Sequence, residues 1–148
     1  MENHNRTCII DDDAIAIFGL KRALKSIGFT PDLSVFENGL EALEKFEKLL
    51  ENGSELPSLI FIDLNMPVMD GWDFMEEFTK LIPSQKDMPE IYIMTSSMDF
   101  KDVEKAKTYG LEDNYLIKPI SKEVLEGIVG SLLPYGSCLE IKGEANNL

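Results

Sequence analysis

The stretch Leu59-Ile60-Phe61-Ile62-Asp63-Leu64-Asn65-Met66-Pro67-Val68-Met69-Asp70-Gly71 constrains this chain more than any other. Four apolar residues in a row, two of them isoleucine, predict a short strand buried on both faces. The run ends on a carboxylate, Asp63, and a proline and a glycine then stop the strand and open a loop. Strands covered on both faces belong to parallel sheets, and their carboxyl ends open onto the crevice where α/β sheets bind ligands. A single acid at that place can equally be a turn cap, so the neighbouring segments decide between the two roles.

Those segments repeat the plan. Residues 7–10 read as a buried strand running into Asp11, Asp12 and Asp13. A helix is expected over residues 14–27, closed by Gly28, with Ile17, Leu20, Leu24 and Ile27 at core spacing. Residues 32–36 form a second strand. Asn38 and Glu41 make a capping-box pattern that opens a second helix, with Leu40, Leu43 and Phe46 inward and Gly53 near its end. After the central strand come a helix over residues 72–81, a strand over 90–95, and a short helix over 100–109 ended by Gly110. A strand over 115–117 is stopped by Pro119, and a last helix capped by Ser121 reaches about Leu133. Five strands alternating with five helices on short connections predict a parallel sheet, right-handed crossovers and helices on both faces, a three-layer α/β fold. The length of 148 residues suits one domain, over residues 6–133, with a polar tail over 134–148.

In a parallel sheet all the strand ends share one edge. The first strand delivers Asp11 and Asp12, the third Asp63 and then Asn65, the fourth Thr95 and Ser96, and the fifth Lys118 before Pro119. Any one of these can be a cap; their joint occurrence is harder to obtain without a function. Clustered carboxylates repel unless a cation or proton intervenes. With no Cys or His at that edge the donors are all oxygen, which suits Mg²⁺. A lysine ammonium and a threonine hydroxyl beside such an ion are suited to phosphoryl transfer onto a carboxylate.

These residues resemble the receiver domain of two-component response regulators, in four separated elements that fall in the right order on the right strands. The resemblance implies a flavodoxin-like fold with strand order 2-1-3-4-5. It implies Asp63 as phosphoacceptor, with Thr95 and Lys118 contacting the phosphoryl group. Mg²⁺ would be held by Asp12 and Asp63 through carboxylates, by Asn65 through its backbone carbonyl and by Asp11 through water. Tyr115 matches the switch aromatic that works with Thr95. Asn65 and Ser97 occupy positions that vary in the family and tune hydrolysis of the aspartyl phosphate. The Lys118-Pro119 bond is expected to be cis, which a tertiary amide permits and the return of Lys118 toward Asp63 requires; the family points the same way. Asp13 is read as a first-turn helix acid, Asp70 as shaping the loop before the third helix, and Met66 and Met69 as packing residues.

The expected partners are a histidine kinase or histidine phosphotransfer protein as donor and a downstream protein that reads the face made by the fourth helix, fifth strand and last helix. On the first helix Ile15 and Phe18 fall opposite the core stripe, beside Arg22, and mark the donor's docking patch at the mouth of the site. A phosphatase of the haloacid-dehalogenase type also uses an aspartyl nucleophile and Mg²⁺, but places an acid where this chain has Asn65. The chain is thus expected to be a phosphoacceptor rather than an enzyme. Without an effector domain after residue 134, it is expected to act alone through docking. A formal charge of −13 and no basic stripe argue against nucleic acid. No apolar run approaches the roughly 18 residues of a membrane span and the start lacks a signal peptide's apolar core, so a cytoplasmic location is expected. The one histidine, His4, lies in the polar start, and Cys8 and Cys138 lack metal-ligand spacing.

Overall fold

The computed structural model describes residues 6–132 apart from Pro67 and Ser97. The role given to Ser97, the tail over 134–148, His4 and Cys138 therefore lie outside the described residues. In chain order the elements are β1 (Arg6–Ile10), α1 (Ala14–Ser26), β2 (Asp32–Phe36), α2 (Gly39–Glu51), β3 (Leu59–Asp63), α3 (Gly71–Leu81), β4 (Glu90–Thr95), α4 (Phe100–Thr108), β5 (Tyr115–Ile117) and α5 (Lys122–Leu132). Single 3₁₀ turns at Gln85–Asp87 and Glu112–Asn114 lead into β4 and β5.

The strands pair in parallel in the order β2-β1-β3-β4-β5, the expected flavodoxin-like arrangement. Every residue of β3 is buried, which is what a strand covered on both sides demands. Side chains alternate between two cores. Ile10, Ile60, Ile62 and Ile93 pack with Phe46 of α2, Phe74 and Phe78 of α3, and Ala106 of α4. Ile9, Phe61, Tyr92 and Met94 pack on the other face with Leu20 and Leu24 of α1 and with Leu125, Ile128 and Val129 of α5. Cys8 is fully buried in the first core, and burial pushes its thiol pKa far upward, so it serves there as a small apolar side chain.

The helix starts are fixed by side-chain caps. Asp13 accepts from the Ile15 and Ala16 amides, Asn38 from Glu41, Asp70 from Asp73, Asp99 from Lys101, and Ser121 from Val124. Gly28, Gly53 and Gly110, beyond the ends of α1, α2 and α4, take positive φ. One inward assignment is corrected. Leu40 is 40% exposed. The first residue of α2, Gly39, faces α3, where a Cβ would lie 3.1 Å from that of Phe74. Leu40, about 100° further round the helix, therefore turns to solvent, and Ala42 joins Leu43 and Phe46 in the core. Among the described residues no helix is long and apolar enough to cross a membrane.

Candidate functional site

Asp11 follows β1, Asp63 ends β3, and Lys118 follows β5, each two positions beyond a residue of the α1/α5 core: Ile9, Phe61 and Leu116. The period of two thus sends all three side chains toward the same side of the sheet edge. The strand ends are anchored to one another by backbone bonds. The Asp11 amide donates to the Phe36 carbonyl, Leu64 to Met94 at 3.0 Å, and Lys118 to Thr95 at 2.7 Å. The Lys118-Pro119 peptide is cis, as expected.

The Lys118 ammonium donates to Asp11 Oδ2 at 2.8 Å and pairs with Asp63 Oδ1 at 3.1 Å. The other Asp11 oxygen, Oδ1, accepts the backbone amide of Asp13 at 3.0 Å. Asp12 is exposed, yet Asp11, Asp12 and Asp63 each present a ligand atom within 4.8 Å of the others. Three converging carboxylates, with no histidine or cysteine joining them among the described residues, make a set that fits a hard divalent cation. Asp63 and Asp11 are 5% and 1% exposed, so their charges are poorly screened. Burial, then the charge of Asp11, raise the Asp63 pKa; the hydrogen bond and charge of Lys118 oppose them without cancelling them. Burial alone would lower the Lys118 pKa, but its bonds to Asp11 and Asp63 outweigh burial and raise it. The ammonium therefore stays charged and occupies the position from which a bound oxyanion can be held.

Thr95 is buried at the end of β4, in line with Ile91 and Ile93, on the side opposite Met94. Tyr115 pairs with Ile93 across the ladder and packs against the same core. Asn65 is exposed in the loop after β3. That loop contains Val68, which is 76% exposed and takes φ 72, and it turns back at Gly71. A Cβ on Gly71 would lie 3.0 Å from the Asp63 carbonyl oxygen and from Leu64 Cα, so a side chain here would push the start of α3 away from the end of β3. Met66 is buried and Met69 half-buried, both in the core, as expected.

Ile15 and Phe18 are 81% and 61% exposed, and the Arg22 guanidinium lies 5.8 Å from the Phe18 ring centre. Ile15 also lines a groove of about 450 Å³ that runs between α1 and the loop after β5, past Asp11, Lys118 and Ile120. One arrangement was not read from the sequence. The Trp72 indole donates to Asp102 Oδ1 at 2.9 Å and its ring stacks on Tyr109, joining α3 to α4. Nothing in the spacing of residues thirty positions apart signals this bond.

The family model for the response regulator receiver domain matches residues 7–129. Among curated relatives, the sensor histidine kinase CheAY of Helicobacter pylori is 35% identical over 81% of this chain, which spans 14% of that protein. Protein PilG of Pseudomonas aeruginosa is 30% identical, with 87% of both chains covered. Among solved structures, a two-component response regulator from Cytophaga hutchinsonii superposes with a TM-score of 0.76 at 26% identity, covering 88% of this chain and 97% of that one.

Proposed function

Because the chain belongs to the response regulator receiver domain family, we propose that Asp63 accepts a phosphoryl group from the phosphohistidine of a histidine kinase or histidine phosphotransfer protein and that the phosphorylated domain signals by protein contact. The observation that carries this reading is the ammonium of Lys118 held 2.8 Å from Asp11 and 3.1 Å from Asp63 in a three-carboxylate cluster. An Asp63 carboxylate oxygen attacks phosphorus in line. A new P–O bond forms as the P–N bond to the donor imidazole breaks, and the electron pair leaves with the imidazole nitrogen. Lys118 pairs with one peripheral phosphoryl oxygen and the Thr95 hydroxyl donates to another. Mg²⁺, when bound, neutralises the carboxylates and the incoming phosphoryl oxygens. Asp11, Asp12 and Asp63 would hold it, with the Asn65 backbone carbonyl as a further oxygen donor.

The exposed pair Ile15 and Phe18, together with the groove beside Asp11 and Lys118, supports α1 as the place where the donor docks. For output, we read Thr95 and Tyr115 as one switch. The Thr95 hydroxyl moves toward the phosphoryl group, space opens beside β4, and the Tyr115 ring turns into it. The surface that changes is the face of α4, β5 and α5.

Intact mass measured after incubation with Mg²⁺ and a small acyl phosphate tests the phosphoacceptor. The wild type should gain one phosphoryl group, and nothing in excess chelator. Asp63→Asn should stay folded and gain none; a variant that still gains the mass removes Asp63 from the role.

A further inference from the structure

Asp102 on α4 is bonded to one buried polar atom, the Trp72 indole nitrogen, and its charge acts on another, the Tyr115 hydroxyl. Its Oδ1 accepts the Trp72 indole, which is 8% exposed and lies nearly parallel to the Tyr109 ring at 5.9 Å. Tyr115 packs against the same core as Trp72 and Tyr109. Its hydroxyl is buried and has no hydrogen-bond partner among the described residues. Buried hydroxyls almost always have one, and an exception points to strain or function. The polar groups that act on this phenol are few. Burial raises its pKa most, the charge of Asp102 adds to the rise, and the Asp99 carboxylate adds least. The Asp99 amide opposes the rise but makes no hydrogen bond of normal geometry to the hydroxyl.

We propose that Asp102 is the positioning residue of the Tyr115 switch: pinned at one oxygen by Trp72, its carboxylate accepts the Tyr115 hydroxyl in the second position of the ring. This rests on the reading of Thr95 and Tyr115 as a switch. A carboxylate has two oxygens and about four acceptor sites, so it can hold the indole and the phenol together. Among the described residues the indole is bonded to it and the Tyr115 hydroxyl is not. Turning Tyr115 satisfies the hydroxyl and draws on the carboxylate that anchors Trp72. The state of the phosphoacceptor is thereby transmitted to the contact between α3 and α4, and Trp72 becomes part of what changes. The alternative role for Asp102 is structural: it fastens Trp72 to α4 and takes no notice of Tyr115.

The chain has one tryptophan, so its indole N–H resonance and its emission report Trp72 alone. Both are recorded on the full chain with Mg²⁺, before and after saturating beryllium fluoride, a phosphoryl mimic. In the wild type the indole resonance should move and the emission change. Tyr115→Phe, which lacks only the hydroxyl, should lose at least half of both responses while its resting indole resonance stays near that of the wild type. Asp102→Ala should displace the resting resonance and abolish the response. If that variant is poorly folded, Asp102→Asn, which keeps one acceptor oxygen, should keep the resting contact and show a reduced response. A Tyr115→Phe response equal to that of the wild type assigns Asp102 the structural role and overturns the proposal. So does a wild type that gains a phosphoryl group by mass while its indole resonance stands still; the phosphoacceptor reading survives that result. Failure to gain the mass at all removes the phosphoacceptor reading and this proposal with it.

Discussion

Asp63 sits where its own charge is least welcome. It is almost fully buried and faces Asp11, and the pairing with Lys118 does not restore its ordinary pKa. A carboxyl whose pKa is higher folded than unfolded binds its proton better in the native state, so stability falls as pH rises through the window between the two values. The lower end of that window is near 3.8, the ordinary aspartate value. In chelator, Asp63→Asn should be more stable than the wild type at pH 7, and the gap should close as pH is lowered toward 4. Urea unfolding at a series of pH values reads it, and a gap that stays constant or has the opposite sign contradicts the electrostatic account. Val68 is a second residue held against its preference. A β-branched side chain at φ 72 is a steric outlier that costs about 1–3 kcal/mol. With the side chain in solvent, no packing offsets that cost. Asn tolerates this region, so Val68→Asn should add about 1 kcal/mol. The urea midpoint should rise with an unchanged slope, and a lower midpoint would refute the strain.

Among the elements, α1 carries the clearest division of labour. Leu20 and Leu24 are buried, Ile17 is half-buried at the edge of the core, and Ile15 and Phe18 point away. If the outer pair is the donor's docking patch, Phe18→Asp should slow phosphoryl transfer from a cognate kinase at least about tenfold, the loss of one ~1.4 kcal/mol contact. Phosphorylation by a small donor should be unaffected, and equal losses with both donors would instead mean damage to the fold. How much of this was legible in the sequence differs by element. The strands were, because β1, β3 and β4 carry apolar runs that lead into Asp or Thr and Pro119 stops β5, while β2 reads as a strand from the alternation Leu33-Ser34-Val35. The ends of α1 and α4 were, because Gly28 and Gly110 follow them. The two 3₁₀ turns were not, since one turn shows no period. Leu40 was misplaced because helical spacing gives the faces of a helix but not which side the sheet and α3 will cover; Gly39 packing against Phe74 decides that. The convergence of Asp11, Asp63 and Lys118 was legible from the strand ends, and Thr95 lies at the end of β4 where its spacing put it. The bond from Trp72 to Asp102 joins two helices and exists only once they pack.

At the scale of the whole molecule, the sheet separates two cores, and the acids lie at the carboxyl ends of strands that both cores hold in place. The free energy of bringing Asp11, Asp12 and Asp63 together is therefore drawn from packing on both faces. A cation that binds only the folded form returns part of it. At ten times its Kd, Mg²⁺ should add about 1.4 kcal/mol, which raises Tm by roughly 4–6 °C for a domain of this size. Asp12→Ala should abolish the rise. Melting curves that coincide with and without Mg²⁺ at fixed ionic strength would count against the site. The strand order has a further consequence. β5 is the outermost strand on its side and has three residues, ending at the exposed Ile117. An open edge is a template on which a passing chain can add a strand, and shortness is one way proteins blunt it. Here the rim offers too few free peptide groups to zip up a fourth-party strand. Whatever meets this side must recognise the shape and chemistry of side chains. Copies that meet through this rim have less strand to add to than at the opposite edge, where β2 has five residues.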